Sequence, residues 1–372
     1  ETFNWRSFMN SNGYKSPLHK MTCTTSTELW NDSCSVEELK YSIENGASGA
    51  TANPVIVGDV LNKEMRLWKE RIKELIIENP VATEDDIAWK LTEEMSVKGA
   101  KLLEPIFIKG NGKKGRLSIQ TNPKYYRNSE LMVDQAIYFN SLAPNIIVKV
   151  PVTKAGVKAI EEATYNGVSI NATVCFTVPQ CLSVGEAVER GLKRRKDEGK
   201  DISTIGPVCT VMVGRLDDWL KIVADKKDIV TNPEYLEWAG VAVMKKAYKI
   251  FQERKYTTRL LSAATRNYMH WSEFIGGDVV ITITHKWQKR LNASDVEVLP
   301  RIEKAVKLTI INELNKKFDD FRKAYSENGI PVDLFDQYGA TLRTLRQFMA
   351  GYEDLVGQIR ELMLPKPEDN II

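Results

Sequence analysis

The sequence predicts a closed (β/α)8 barrel, a TIM barrel, carrying additional C-terminal helices. Three observations lead there. Short apolar or β-rich runs alternate with longer helical patterns, and parallel strands joined by helical crossovers are what such alternation demands. Several runs are apolar at successive positions, as in IIVKV and VVITIT, which suits strands buried on both faces. Eight such runs fall within roughly 250 residues, the usual size of one closed barrel.

The first run is TELWND (27–32), followed by SVEELKYSIENG, whose Val36, Leu39, Tyr41 and Ile43 mark a helix that Gly46 ends. GASGATANPVI (46–56) leads into a long helical region over 61–103 that contains the Pro80 break. RLSIQT (116–121) precedes NSELMVDQAIYFNSLA, NIIVKVPV (145–152) precedes KAGVKAIEEATYNG, and VSINATVCF (168–176) precedes VPQCLSVGEAVERGLKRR. PVCTVMVG (207–214), TTRLLSAAT (257–265) and DVVITIT (278–284) complete the set. From 295 onward the chain reads as two further helices, RIEKAVKLTIINELNKKFDDFRKAYSENG and the stretch 340–363, joined by GIPVDLFDQYG. No Pro/Gly/Ser linker sets them apart. One domain is therefore expected over 1–372, with the barrel at 22–294 and a helical extension at 295–372 packed on it. PKPEDNII reads as a loose tail. An open doubly wound sheet is the alternative, but no G-x-G-x-x-G follows the first strand.

Apolar residues make up 43% and charged residues 27% of the chain, which excludes collagen-like, low-complexity and wholly disordered classes. Lys plus Arg 52 against Asp plus Glu 49 leaves +3, too little for a protein that neutralises a nucleic-acid backbone. The five cysteines (Cys23, Cys34, Cys175, Cys181, Cys209) are scattered, without a C-x-x-C pair or a histidine spaced to complete a zinc site. They read as buried thiols of a reducing compartment, and no metal is expected. No run of about 18 apolar residues offers a membrane span, and ETFNWRSFMN lacks the apolar core of a signal peptide. Cytoplasmic location without a membrane partner is the expectation. His19, His270 and His285 lie near neither a G-x-S-x-G elbow nor an H-E-x-x-H helix. Acid–base work falls to Asp, Glu, Lys, Tyr or water.

The residue that stands out is Lys149, an ammonium in the middle of NIIVKVPV. A buried charge is disfavoured unless paired or neutralised, and a lysine driven to lose its proton becomes an amine nucleophile for carbonyl carbon. The ordinary alternative is a lysine that reaches the rim or pairs with a strand carboxylate.

The run IIVKVPVTKAGVKAIEEATYNGVSINATVCFT resembles the transaldolase signature, in which the lysine of a K-[IV]-P-x-[ST] strand forms a Schiff base beside an N-x-T-x-x-F strand. ELWNDS resembles that family's first strand, TANPVI its T-x-N-P-[ST]-x-[IL] segment, TVMVGRLDDWL its S-P-F-V-G-R-[IL]-x-D-W motif, and SAATRN its A-S-F-R-N strand end. DQYGATLRTLRQFMAGYEDL resembles the helical extension of the longer members. The resemblance implies that Lys149 holds a ketose phosphate as an imine and that Asp32 moves the proton of the C4 hydroxyl. It further implies that Asn53 and Asn171 bond substrate hydroxyls, that Thr173 positions water, and that Arg215 and Arg266 clamp the phosphate, with Thr210 standing where the family has Ser. Each has a bland reading. Asp32 in N-D-S is also a helix-start pattern, the asparagines suit a polar barrel interior, and either arginine alone suits a surface ion pair.

Three of the strands also depart from the family. Gln120 stands where a strand-three glutamate activates water, and an amide orients water without accepting its proton. Small fructose 6-phosphate aldolases share that Gln but pair it with a strand-six tyrosine, whereas this chain has Met212. Ala264-Thr265 replaces Ser-Phe before the arginine. The expectation is transfer of a dihydroxyacetone unit between phosphorylated sugars without organic cofactor. A dihydroxyacetone-releasing aldolase or a non-catalytic sugar-phosphate binder is the alternative. Oligomeric state stays open, with a homodimer as the expected assembly.

Overall fold

A computed structural model describes residues 13–370. The leader expectation drawn from residues 1–10 lies outside the described residues. Eight parallel strands close in sequence order: β1 Glu28–Asn31, β2 Ala47–Thr51, β3 Arg116–Gln120, β4 Ile146–Pro151, β5 Ile170–Cys175, β6 Val208–Val211, β7 Arg259–Ser262 and β8 Val279–Ile283. β8 returns to β1 in register, Leu29 beside Ile281 and Asn31 beside Ile283. All eight fall within the runs that the sequence marks.

Strand alternation sorts the side chains into two environments. Ile146, Val148 and Val150 of β4, and Val279, Ile281 and Ile283 of β8, belong to the large core shared with the surrounding helices. The intervening residues face inward and build the interior in layers. At the N-terminal end, Glu28 accepts from Ser48 Oγ (2.6 Å) and Arg259 Nη1 (2.8 Å). Above it, Trp30, Ile147, Val208, Leu261 and Val280 form a compact apolar plug. Trp30 fits because Gly49 faces it: a Cβ there would come within 2.5 Å of the indole. The next layer up is polar, with Thr51, Ser118, Lys149, Asn171, Thr210 and Thr282 all buried. The site lies in this layer.

Helix boundaries follow local chemistry. The long region 61–103 is two helices, Pro54–Glu78 and Glu84–Lys109, separated around Pro80. The first starts earlier than its apolar pattern suggests, because Asn53 caps it and Pro54 occupies its first turn. A further correction concerns 301–329. The apolar spacing predicts one helix, yet the chain forms Leu308–Lys317 and Asp319–Tyr325, with 301–307 non-helical. Two tertiary effects override the local pattern. Lys245 Nζ donates to the carbonyls of Arg301 (2.8 Å) and Lys304 (2.7 Å), which a helix would use internally. Phe318 adopts extended backbone and is fully buried. The last long helix, Gly339–Met363, matches the stretch 340–363. The segment expected as a loose tail carries a 3-10 turn at Pro367–Asn370, and residues 371–372 lie outside the described ones.

Candidate active site

Lys149 stands on the inward face of β4, one layer above Ile147, and is 4% exposed. Its Nζ donates to Ala52 O at the end of β2 (3.3 Å). Burial pulls the amine down to about 8, with the Asp32 carboxylate opposing the shift and Arg215 adding to it. This lysine neither reaches the rim nor forms an ion pair among the described residues.

Asp32 follows β1, its N–H continuing the ladder to Ile283 O (3.0 Å). The helix-cap reading is decided by its neighbour. Ser35, not Asp32, caps Val36–Glu44, with Ser35 Oγ accepting from Glu38 N. The carboxylate of Asp32 instead accepts from Thr51 Oγ1 (2.7 Å), which also contacts Thr282 Oγ1 (2.6 Å). Thr51 thus orients the carboxylate over the polar layer; it is the first residue of the TANPVI motif, which gave it no role of its own.

Gln120 pairs in register with Lys149 across β3 and β4. Its Oε1 is a buried acceptor without a partner. Gln120, Ala52 and Asn53 border a small cavity of about 10 Å³, the scale of a single water. Asn53 Oδ1 accepts from Ile56 N (3.0 Å) as the cap of Pro54–Glu78, leaving its amide nitrogen as the free end.

Asn171 is paired in register with Lys149 on its other side. Its Nδ2 donates to Ser118 Oγ (3.0 Å) and its Oδ1 accepts from Thr210 Oγ1 (2.6 Å), so β3, β5 and β6 are tied across the interior. Thr173 Oγ1 lies 4.0 Å from Met212 Sδ. Just beyond it Val174 holds φ +55°, a costly conformation for a β-branched residue, where the β5–β6 register shifts.

Arg215 lies in the first turn of Val213–Lys226, directly after β6, and Arg266 follows β7. Both border a cavity of about 350 Å³ together with Asp218, Arg343 and Gln347. Arg215 Nη1 donates to Gln347 Oε1, and its guanidinium sits over the Phe348 ring at 5.3 Å. Burial holds Arg215 down at about 10, with Arg266 adding to the shift. Arg266 Nε donates to Asp218 Oδ2 (3.0 Å). Two guanidinium groups bordering one cavity are suited to an anion, and the Asp218 and Asp354 carboxylates line the same cavity. Their approach depends on Gly214: a Cβ there would lie 1.9 Å from Ala264 O and 2.6 Å from Arg266 Cγ. Gly214→Ala is expected to push the two segments apart, lowering the melting temperature and weakening binding of inorganic phosphate by tenfold or more, roughly one charge-assisted hydrogen bond. Calorimetric titration and a thermal scan check both effects.

Residues 29–358 match the transaldolase/fructose-6-phosphate aldolase family. The chain belongs to this family. A transaldolase of Thiobacillus denitrificans is 27% identical over 381 residues, covering 89% of this chain and 96% of that protein. Transaldolase 2 of Streptomyces avermitilis is 30% identical over 220 residues, covering 58% of this chain and 57% of that protein. A transaldolase of Acidothermus cellulolyticus is 27% identical over 224 residues, covering 59% of this chain and 58% of that protein. The last two alignments span under two thirds of those relatives' lengths.

Against the transaldolase motifs, the residues that local sequence reasoning missed come from far along the chain. Arg343 and Gln347 reach the arginine cavity, and Tyr352 the small cavity beside Gln120, all from the C-terminal helix Gly339–Met363. That helix packs closely on Pro54–Glu78, where a Cβ on Gly351 would meet Val55 at 2.5 Å. The extension is thereby part of the wall of the site. The thiols also behave differently from their scattered spacing. Cys175, Cys181 and Cys209 converge, fully buried, with sulfurs within 4.8 Å of one another. They are the one group among the described residues whose ligand atoms could close on a metal. A structural zinc takes four protein ligands, and no fourth Cys, His, Asp or Glu joins them. No helix among the described residues is long and apolar enough to cross a membrane.

Proposed function

We propose that the protein transfers a dihydroxyacetone unit from a ketose phosphate to an aldose phosphate through an imine on Lys149, as the resemblance implies. The observation that carries the reading is a buried amine, held down to about 8, on the inward face of a barrel strand with the Asp32 carboxylate acting on it. An amine titrating there presents a useful neutral fraction near pH 7, unlike an ordinary lysine. Neutral Nζ attacks C2 of the ketose, the resulting carbinolamine hydroxyl takes a proton from solvent and leaves as water, and a protonated imine results. Asp32 accepts the C4 hydroxyl proton while the C3–C4 electron pair moves into the imine, releasing an aldose phosphate and leaving an enamine. Enamine C3 then attacks the acceptor aldehyde, Asp32 returns its proton to the new alkoxide, and water hydrolyses the imine. Gln120 and Thr173 position that water, Asn53 and the Asn171–Thr210 pair meet the sugar hydroxyls, and Arg215 and Arg266 hold the phosphate. No organic cofactor enters these steps.

Gln120 favours a second reading, an aldolase that releases free dihydroxyacetone. Incubation with sedoheptulose 7-phosphate and glyceraldehyde 3-phosphate separates the two. Fructose 6-phosphate and erythrose 4-phosphate are the expected products. Free dihydroxyacetone as the main product supports the second reading, and no consumption of either sugar overturns both. For the clamp, Arg215→Ala and Arg266→Ala are each expected to raise KM for the phosphorylated ketose about tenfold or more, the loss of a charged hydrogen bond. KM for dihydroxyacetone itself stays near the wild-type value. Equal losses for both substrates assign these arginines to the fold instead.

A further inference from the structure

We infer that Asp217 and His270 form a buried positioning pair that locks the spacing of Arg215 and Arg266 and thereby sets affinity for phosphorylated sugars. The inference rests on the phosphate reading of the two arginines.

The pair joins the two segments that carry them. Asp217 lies two residues after Arg215 on Val213–Lys226, and His270 lies four residues after Arg266 in the short turn Met269–Ser272. His270 Nε2 and Asp217 Oδ2 are 2.8 Å apart, and both side chains are fully buried. The N–H of Arg266 donates to His270 Nδ1 (3.0 Å). An accepting Nδ1 carries no proton, so the ring proton sits on Nε2 and is donated to Asp217. Asp217 Oδ1 accepts a second donor, the N–H of Gly240 (2.8 Å). Both ring nitrogens of the histidine are thus committed, Nδ1 to the Arg266 backbone and Nε2 to the Asp217 carboxylate, and neither residue borders the arginine cavity.

Two further observations show why the turn needs holding. Ala264, two residues before Arg266, adopts φ +64°, a left-handed conformation that is strained for a non-glycine residue. Such strain persists only where surrounding contacts impose it. Asp218, adjacent to Asp217, holds the Arg266 side chain at Nε. Neighbouring aspartates of one helix therefore grip Arg266 twice, through its backbone by way of His270 and directly at its guanidinium. Slackening the first grip shifts one guanidinium relative to the other, and a displacement of this kind weakens a two-point anion site without removing either charge.

The test compares His270→Leu, His270→Gln and Asp217→Asn with Arg266→Ala and wild type. It reads the dissociation constant of inorganic phosphate by calorimetry, KM for fructose 6-phosphate and for dihydroxyacetone, and the melting temperature. His270→Leu is expected to weaken phosphate binding and raise KM for fructose 6-phosphate about tenfold, as for a misaligned charged bond, with KM for dihydroxyacetone unmoved. Gln keeps an acceptor for Arg266 N–H and a donor for Asp217, so it is expected to recover most of the loss. Should the Leu protein not fold, Asp217→Asn carries the test, with the same selectivity at about threefold, a partial loss of one hydrogen bond. A fall in stability with both substrates affected alike, or with phosphate affinity unchanged, overturns the inference. If Arg266→Ala is selective for phosphate and the His270 and Asp217 variants are not, this inference alone falls. If Arg266→Ala shows no selectivity, the phosphate reading itself falls.

Discussion

Lys149→Met is expected to yield a protein more stable than the wild type and without aldol chemistry. In the native state the amine titrates at about 8 against an ordinary 10.5, and burial is the main cause. Between those values the unfolded chain binds a proton that the folded chain does not, so wild-type stability rises with pH across that window. Below pH 8 the ammonium is charged in both states and the native protein bears the whole cost of burying it, roughly 3 kcal/mol at 1.36 kcal/mol per pKa unit. Methionine fills a similar volume without charge. Its advantage is therefore greatest below pH 8 and shrinks as the pH climbs toward 10.5. Thermal scans of both proteins at several pH values check this. Activity moves the opposite way: with no amine to form the imine, turnover is expected to drop on the order of a thousandfold or more, as when a nucleophile is removed. A variant of equal or lower stability at pH 6–7 would show that the lysine is held by favourable contacts.

Gln120→Glu carries the second large effect. The amide Oε1 is buried without a donor, beside the small cavity and in register with Lys149. A carboxylate there gains what the amide lacks, the capacity to take a proton from water, and a positioned general base is worth about a hundredfold or more. Two forces act on its pKa. Burial raises it, and the adjacent ammonium of Lys149 lowers it. The same ammonium gains a counter-charge, which raises the lysine's own pKa and trims the neutral amine fraction at pH 7. The net expectation is faster imine formation and hydrolysis at neutral pH, fading as the pH falls through the new carboxylate's pKa. Single-turnover kinetics with fructose 6-phosphate across that range give the answer. An unchanged rate at every pH, with the fold intact, would mean that water is activated elsewhere in the barrel.

The barrel was legible because its strands carry their own pattern: runs of four to six residues, the first five of them followed by a helix whose N-terminus a Ser, Thr or Asn side chain caps. Lys149 was legible for a related reason, since one charge among Ile146, Ile147, Val148 and Val150 violates that pattern. Asp32 was readable in two ways because an N-cap and a proton-transfer group use the same side chain, and the position of Ser35 removes the first of them. What the sequence hid are relations across distance. Gln347 meets Arg215 from 132 residues away, and His270 meets Asp217 across 53. The three convergent thiols have no motif spacing at all. The non-helical 301–307 segment escapes local periodicity because Lys245 takes its carbonyls, and the break at Phe318 because that side chain is buried from extended backbone.

The central claim, that Lys149 is a nucleophile, is tested most directly by borohydride reduction in the presence of fructose 6-phosphate followed by peptide mass mapping. A reduced three-carbon adduct is expected on Lys149, with its yield rising as the pH approaches about 8 and the neutral amine accumulates. Lys149→Arg is expected to give none, because the guanidinium stays charged. An adduct on a different lysine, or no adduct with any ketose phosphate, would contradict the account.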